Sequence, residues 1–144
     1  MSKVILMVGA PGSGKSTRLK SHISSIGEGD YSVVSADHYF EDSDGVYHFD
    51  RSKLHLAHQT CQSRFVSGLI AGKKLVIVDN TNTTAKERKF YIDMAFQHNY
   101  TVSIDAVEAD AETCYQRNVH GVPLEAIQRM IARIDVPYGW SEVV

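Results

Sequence analysis

The chain has 144 residues, 43% of them hydrophobic and 22% charged, and a formal net charge of −2. That size and composition describe one soluble globular domain; they exclude disorder, a fibrous repeat, or a catalytic unit with a separate regulatory domain attached. A net charge so close to zero supplies no global positive field, so any polyanion must meet a local basic patch.

Lys3 to Val8 is a short apolar run ended by Gly9, which reads as a strand buried on both faces. It is far too short to span a membrane and runs into a glycine-rich turn instead of a signal-peptide cleavage site, so the expected compartment is the cytoplasm, that of a host if the chain is viral. The turn opens a helix in which Leu19, Ile23 and Ile26 share a face, with Gly27 and Gly29 as the stop. Tyr31 to Ser35 follows as a second strand. A loop rich in Asp and Gly, Glu41 to Gly45, leads to a longer helix with Leu54, Cys61, Phe65 and Leu69 on one face, closing at Gly72. Leu75 to Val78 is the clearest strand of all.

Thr84-Ala85-Lys86-Glu87 matches the capping box, a hydroxyl and a carboxylate that satisfy free N–H groups at a helix start. The helix it opens turns Phe90, Tyr91, Met94 and Ala95 towards the core. Thr101 to Val107 is a fourth strand. Asp110 is a plausible N-cap for a helix reaching about Asn118, and Pro123 fits the first turn of a last helix striped by Leu124, Ile127, Ile131 and Ile134. Strand and helix alternate four times, which predicts an α/β fold in three layers: a parallel sheet of about four to five strands, helices on both faces, right-handed crossovers. The two cysteines, Cys61 and Cys114, lie far apart outside any CxxC pair and read as reduced thiols, with neither a disulfide nor a zinc site suggested.

Gly9-Ala10-Pro11-Gly12-Ser13-Gly14-Lys15-Ser16 fits GxxxxGK[ST], directly after a strand and directly before a helix, the context a P-loop requires. Glycines let the backbone wrap phosphate oxygens and turn N–H groups inward, while the helix N-terminus adds partial positive charge. Gly12, Ser13, Gly14, Lys15, Ser16 and Thr17 are therefore the expected nucleotide-binding residues. Lys15 is placed for the β- and γ-phosphates of ATP, and Ser16 for a Mg2+ ion that bridges them.

Ligands of open α/β sheets bind beyond the carboxyl ends of the strands, which brings in two carboxylates. Asp79 ends the third strand and resembles the acid that orders magnesium in such proteins; a turn-capping role before Asn80 and Thr81 is the competing assignment. Asp37, just past the second strand, suits a hydroxyl acceptor. With a reference pKa near ~3.9 it is a weak base towards an alcohol, so it acts by orienting the hydroxyl and by late proton transfer; an Asx-turn or N-cap is its alternative. Arg117 precedes a short connection between two helices, residues 117–123, that reads as a lid carrying a cation over the phosphates. His55 and His58 share a helix face but lack a third metal ligand. Lys86, Arg88 and Lys89, after Asp79-Asn80-Thr81-Asn82, form the best local basic cluster, either a solvated helix face or a set of phosphate contacts.

Gly9 to Thr17, Ser35-Ala36-Asp37-His38-Tyr39, Asp79-Asn80-Thr81-Asn82, and Arg117-Asn118 with Val122-Pro123 together resemble the kinase domain of the bacteriophage-type polynucleotide 5′-hydroxyl kinases. Asp44-Gly45-Val46-Tyr47 and Arg117 to Val122 are also similar to P-loop domains of certain ubiquitin-ligase-binding proteins. The resemblance implies one P-loop kinase domain over residues 1–144, with Asp37, Lys15 and Arg117 catalytic, ATP and Mg2+ as cofactors, and DNA or RNA as the acceptor. The family places an arginine that grips the acceptor three residues after the catalytic carboxylate, where this chain has Phe40, and a second lid arginine falls near His120. Acceptor recognition is therefore expected to be redistributed among Tyr39, Phe40, Asn82 and Arg88, with Tyr39 or Phe40 stacking on a base. Two other functions stay open at this point. One is a kinase for a hydroxymethylated base, a nucleoside or another small alcohol; the other is an ATP-binding switch or interaction module without an acceptor.

Overall fold

The computed structural model describes residues 2–144. In chain order these form β1 (Lys3–Val8), α1 (Lys15–Ile23), β2 (Tyr31–Val34), α2 (Leu54–Ile70), β3 (Leu75–Asp79), α3 (Ala85–Gln97), β4 (Thr101–Ala106), α4 (Ala111–Arg117), α5 (Leu124–Arg133) and β5 (Gly139–Val143), with short 3-10 turns at Glu28–Asp30, Ala36–Phe40 and Arg51–Lys53. The strands lie in the order β2-β3-β1-β4-β5. The first four are parallel, with Lys3 of β1 opposite both Leu75 and Thr101.

β1 is the middle strand, which explains its unbroken apolar run: it has no face turned to water. Val4, Leu6 and Val8 point into a core shared with Ala57, Cys61, Phe65 and Leu69 of α2 and with Tyr91 and Ala95 of α3. Ile5 and Met7 point the other way, against Leu19 of α1 and Leu75 and Ile77 of β3. Each such side chain taken fully out of water contributes about 1.5–3 kcal/mol, and the alternation along one strand holds both helix layers to the sheet. A smaller cluster of Ala10, Cys114 and Ile127, with Val122 and Ile131 against it, fastens α4 and α5 to the end of the sheet where the P-loop lies. Both cysteines are buried free thiols.

α1 is latched to the sheet by charge as well. Asp105 of β4 is 1% exposed and accepts from Arg18 at 2.9 Å and meets His22 Nε2 at 2.7 Å. Helix starts follow the sequence signals with one shift. Asp110 caps α4 by accepting from Thr113 N at 2.8 Å. Thr84 caps α3 by accepting from Glu87 N, but the Glu87 carboxylate reaches back one residue further than a capping box requires, to the N–H and hydroxyl of Thr83.

Two elements depart from expectation. α1 ends at Ile23, and Ile26 packs on the same core from the turn beyond it. β5 was not among the expected strands, and it runs antiparallel to β4 at the sheet edge. Gly139, at φ +95°, enters it from Pro137-Tyr138. Its side chains meet mixed partners: Val143 packs on the apolar core, Trp140 lies against His22, and Glu142 accepts from Ser103 Oγ and from Trp140 Nε1, each at 2.9 Å. A strand stabilised in this way carries no hydrophobic period to read.

Candidate active site

Two clusters meet at the carboxyl ends of β1, β2 and β3. The first is the P-loop. Gly14 takes φ +101° at the N-cap of α1. Gly12 has φ +82°, and a Cβ there would lie 2.2 Å from the Cys114 carbonyl oxygen and 3.1 Å from Asn118 N. Only glycine permits that approach, which seats the loop directly against the C-terminal end of α4 and so fixes Arg117, exposed at that end, next to the phosphate cradle.

Lys15 Nζ donates to Gly9 O at 3.0 Å and to Asn80 O at 3.4 Å. Burial pushes its pKa down, while the nearby charges of Asp79 and Asp37 act in the opposite direction. Burial pushes Asp79 up, opposed by Lys15. Each charge is thus poorly solvated, and neither donates to nor accepts from the other. Among the described residues three buried polar atoms have no partner, and they include Ser13 Oγ in the loop and Asp79 Oδ1 beside Lys15. A glycine cradle, a lysine bonded only to carbonyls and an unsatisfied buried carboxylate oxygen fit a nucleotide phosphate with a divalent cation. Ser16 and Thr17, both exposed at the start of α1, border the same space.

The second cluster surrounds Asp37. Ser35 Oγ accepts from Asp37 N at 3.2 Å and starts the turn Ala36–Phe40. Ala36 N donates to Asn80 Oδ1 at 2.9 Å. Because the Asn80 carbonyl also accepts from Lys15, one residue at the end of β3 ties the two clusters together. The Asp37 carboxylate is half-exposed, at 51%. Tyr47 Oη donates to its Oδ1 at 3.3 Å, and His120 Nε2 stands 3.9 Å from its Oδ2. The rings of Tyr47 and His120 pack on one another, their centroids 4.1 Å apart. Burial, with the adjacent Asp37 charge, pushes the Tyr47 phenol up to about 12, which keeps it a hydrogen-bond donor at neutral pH.

The connection expected as a lid, residues 117–123, is fastened internally by Asn118. Asn118 Oδ1 accepts from His120 N and Asn118 Nδ2 donates to Val122 O, both at 2.9 Å, while Gly121 at φ +71° reverses the chain. The staple is what points His120 at Asp37.

Of the expected acceptor residues, Asn82 and Arg88 stand elsewhere, and Phe40 lies in the wall of the cleft beside Tyr39. Phe40 is 6% exposed and packs edge-on against Tyr39, Tyr47 and Phe49, so it offers no face to a base. Asn82 is 2% exposed, at φ +48°, and donates to Met7 O at 2.8 Å. Arg88, 4% exposed, donates to Asn82 O at 2.8 Å and is paired with Asp135. Asn82 and Arg88 are internal braces, because a buried amide and guanidinium must spend their hydrogen bonds on the protein itself. Lys89 pairs with Asp93 at 2.7 Å, and Lys86 remains exposed. Tyr39 alone of the four is partly open, at the rim of a cleft of about 700 Å³ that Phe49, Arg51 and Lys53 also line, together with Glu41, Asp42 and Asp50. Sequence reasoning assigned no role to Tyr47, His120 or Asn80. The only hint was the alignment of His120 with a lid cation.

Residues 4–137 match the family model of an AAA domain. Over 136 residues the chain is 33% identical to human NEDD4-binding protein 2, covering 89% of this chain and 7% of that much longer protein. Among solved structures, a chain of the Pnkp1/Rnl/Hen1 RNA repair complex superposes with a TM-score of 0.76 at 17% identity, covering 99% of this chain and 49% of that one. The Mycobacterium tuberculosis APS kinase CysC, solved with AMPPNP and APS, superposes with a TM-score of 0.58 at 18% identity, covering 95% and 81%. The fold is that of the P-loop kinases. No helix among the described residues is long and apolar enough to cross a membrane.

Proposed function

The chain belongs to this AAA-domain family, and from that premise we propose that it is an ATP-dependent phosphotransferase whose acceptor is a hydroxyl group, foremost the 5′-hydroxyl of a polynucleotide. The observation that carries the reading is Asp37. A half-exposed carboxylate, oriented by Tyr47 and linked through Asn80 to the P-loop lysine, is what a phosphotransferase needs and a nucleotide switch does not.

In this reading the loop from Gly12 to Thr17 and Lys15 bind the triphosphate. Ser16 and Asp79 would hold Mg2+, which would supply charge neutralisation at the phosphates. Asp37 accepts the hydrogen bond of the attacking hydroxyl, aims its oxygen at the γ-phosphorus and takes the proton late. Arg117 stabilises charge on the transferred phosphoryl group. The domain is residues 1–144, with 117–123 as its lid.

The polynucleotide acceptor is supported by the sequence resemblance and by the fold shared with a protein of an RNA repair complex. One observation favours a smaller alcohol instead. With Arg88 buried and Lys89 paired, the open cleft at Tyr39 holds Arg51 and Lys53 against Glu41, Asp42 and Asp50, a poor track for an extended polyanion. Supplying labelled ATP with 5′-hydroxyl DNA, 5′-hydroxyl RNA, hydroxymethyl-pyrimidine DNA and free nucleosides side by side separates these acceptors. The proposal expects label on the 5′-hydroxyl oligonucleotides; label on nucleosides alone selects the smaller acceptor, and label on none while ATP binds rejects the kinase.

A further inference from the structure

We propose that His120 and Asp37 form a two-sided seat for the attacking oxygen of the acceptor, with Tyr47 as the positioning residue that holds both. This deepens the phosphotransferase reading and rests on it. His120 Nε2 and Asp37 Oδ2 are 3.9 Å apart, too far to bond directly, yet one oxygen can lie about 2.8 Å from each. The two walls come from different parts of the chain, the turn after β2 and the turn between α4 and α5, so the gap opens where the sheet's ligand end lies.

The surroundings leave that gap free for a hydroxyl. Tyr47 Oη donates to Asp37 Oδ1, while Oδ2, the oxygen that faces His120, receives no hydrogen bond and stands ready to accept one. His120 is not held by hydrogen bonds of its own ring. Its Nδ1 is buried without a partner, and the ring is kept in place by Tyr47 at 4.1 Å and by the Asn118 staple on its backbone. A buried nitrogen left unpaired is costly, and sites where such groups persist are commonly functional.

The acceptor O–H donates to Asp37 Oδ2, and His120 Nε2–H donates to one lone pair of the acceptor oxygen, which directs the other towards the γ-phosphorus. The new bond forms between acceptor oxygen and phosphorus, the bond from phosphorus to the β,γ-bridging oxygen breaks with its electrons going to ADP, and the acceptor proton passes to Asp37. His120 keeps its own proton. It serves as a donor that the missing acceptor arginine at Phe40 does not provide.

The test separates donor from packing. His120→Phe keeps a ring against Tyr47 and removes the donor; His120→Gln loses the ring and keeps a donor near the Nε2 position. With a 5′-hydroxyl oligonucleotide and ATP, His120→Phe is expected to raise the acceptor KM about tenfold and leave the KM for ATP within about twofold, while His120→Gln recovers most of the loss. Thermal melting and ATP binding equal to wild type certify that His120→Phe is folded. An acceptor KM unchanged in His120→Phe, or a loss in His120→Gln that exceeds it, assigns the ring to packing and overturns the seat while the kinase stands. A wild-type chain that binds ATP and transfers phosphate to no hydroxyl overturns the kinase reading, and the seat falls with it.

Discussion

The proposed phosphate end and the proposed acceptor end of this site are joined through Asn80 but are built in different ways. The phosphate end is backbone: glycines at positive φ, a loop so close to α4 that a Cβ on Gly12 would lie 2.2 Å from the Cys114 carbonyl oxygen, and a lysine bonded to two carbonyls. The acceptor end is side chains from separate turns: a half-exposed Asp37 that accepts from Tyr47, and a more buried His120 whose ring packs on that of Tyr47. Rigid backbone suits a ligand part that is always the same. Loop side chains can be exchanged one at a time, which suits the part of the substrate that differs between relatives.

If that division holds, the largest effect comes from the phosphate end. Lys15→Met is expected to lower kcat/KM by about 10³-fold or more, through lost charge stabilisation at the phosphates, and to weaken ATP in direct binding measurements. Gly12→Ala forces a methyl group into the Cys114 carbonyl at a positive φ, so it should cost about 3 kcal/mol of stability, read by denaturant unfolding; a neutral result would mean that the loop and α4 are not rigidly joined. Next stands a brace beneath both ends. Asp135→Ala strands the buried Arg88 charge and removes a partner of Ala85 N, and a loss of about 3 kcal/mol is expected.

The smallest effect has the opposite sign. Burial raises the pKa of folded Asp79 above its ordinary 3.8, so its ionised form is a liability to the nucleotide-free protein. The folded state holds that proton more tightly, and stability is lost as pH rises through the raised pKa. Asp79→Asn should therefore stabilise the protein at pH 7, with the gain vanishing below pH 3.8, where Asp79 is protonated in both states. Melting curves at the two pH values check this, and magnesium-dependent ATP binding should weaken in the same variant. A destabilised Asp79→Asn would make Asp79 a structural cap instead.

The same contrast decides how much was legible. The P-loop is one contiguous stretch, so its residues could be picked out directly, and the unbroken apolar run of β1 announced a central strand. Asp37 and Asp79 could be placed because strand ends point to the ligand side of such sheets. Tyr47 and His120 could not, since 73 positions separate them and nothing local says that the loop after the Asp37 turn reaches the turn between α4 and α5. Arg88 looked like surface charge because its partner, Asp135, lies 47 residues away. Phe40 looked like a free aromatic until Tyr39, Tyr47 and Phe49 closed around it. β5 escaped because a polar edge strand has no period.

The central claim is that Asp37 serves a hydroxyl acceptor, and Asp37→Asn tests it most directly. Transfer of labelled γ-phosphate to a 5′-hydroxyl oligonucleotide should fall about 10²- to 10⁴-fold, with ATP affinity unchanged within about twofold. Transfer at the wild-type rate in Asp37→Asn, or none in the wild type while ATP stays bound, would contradict the account.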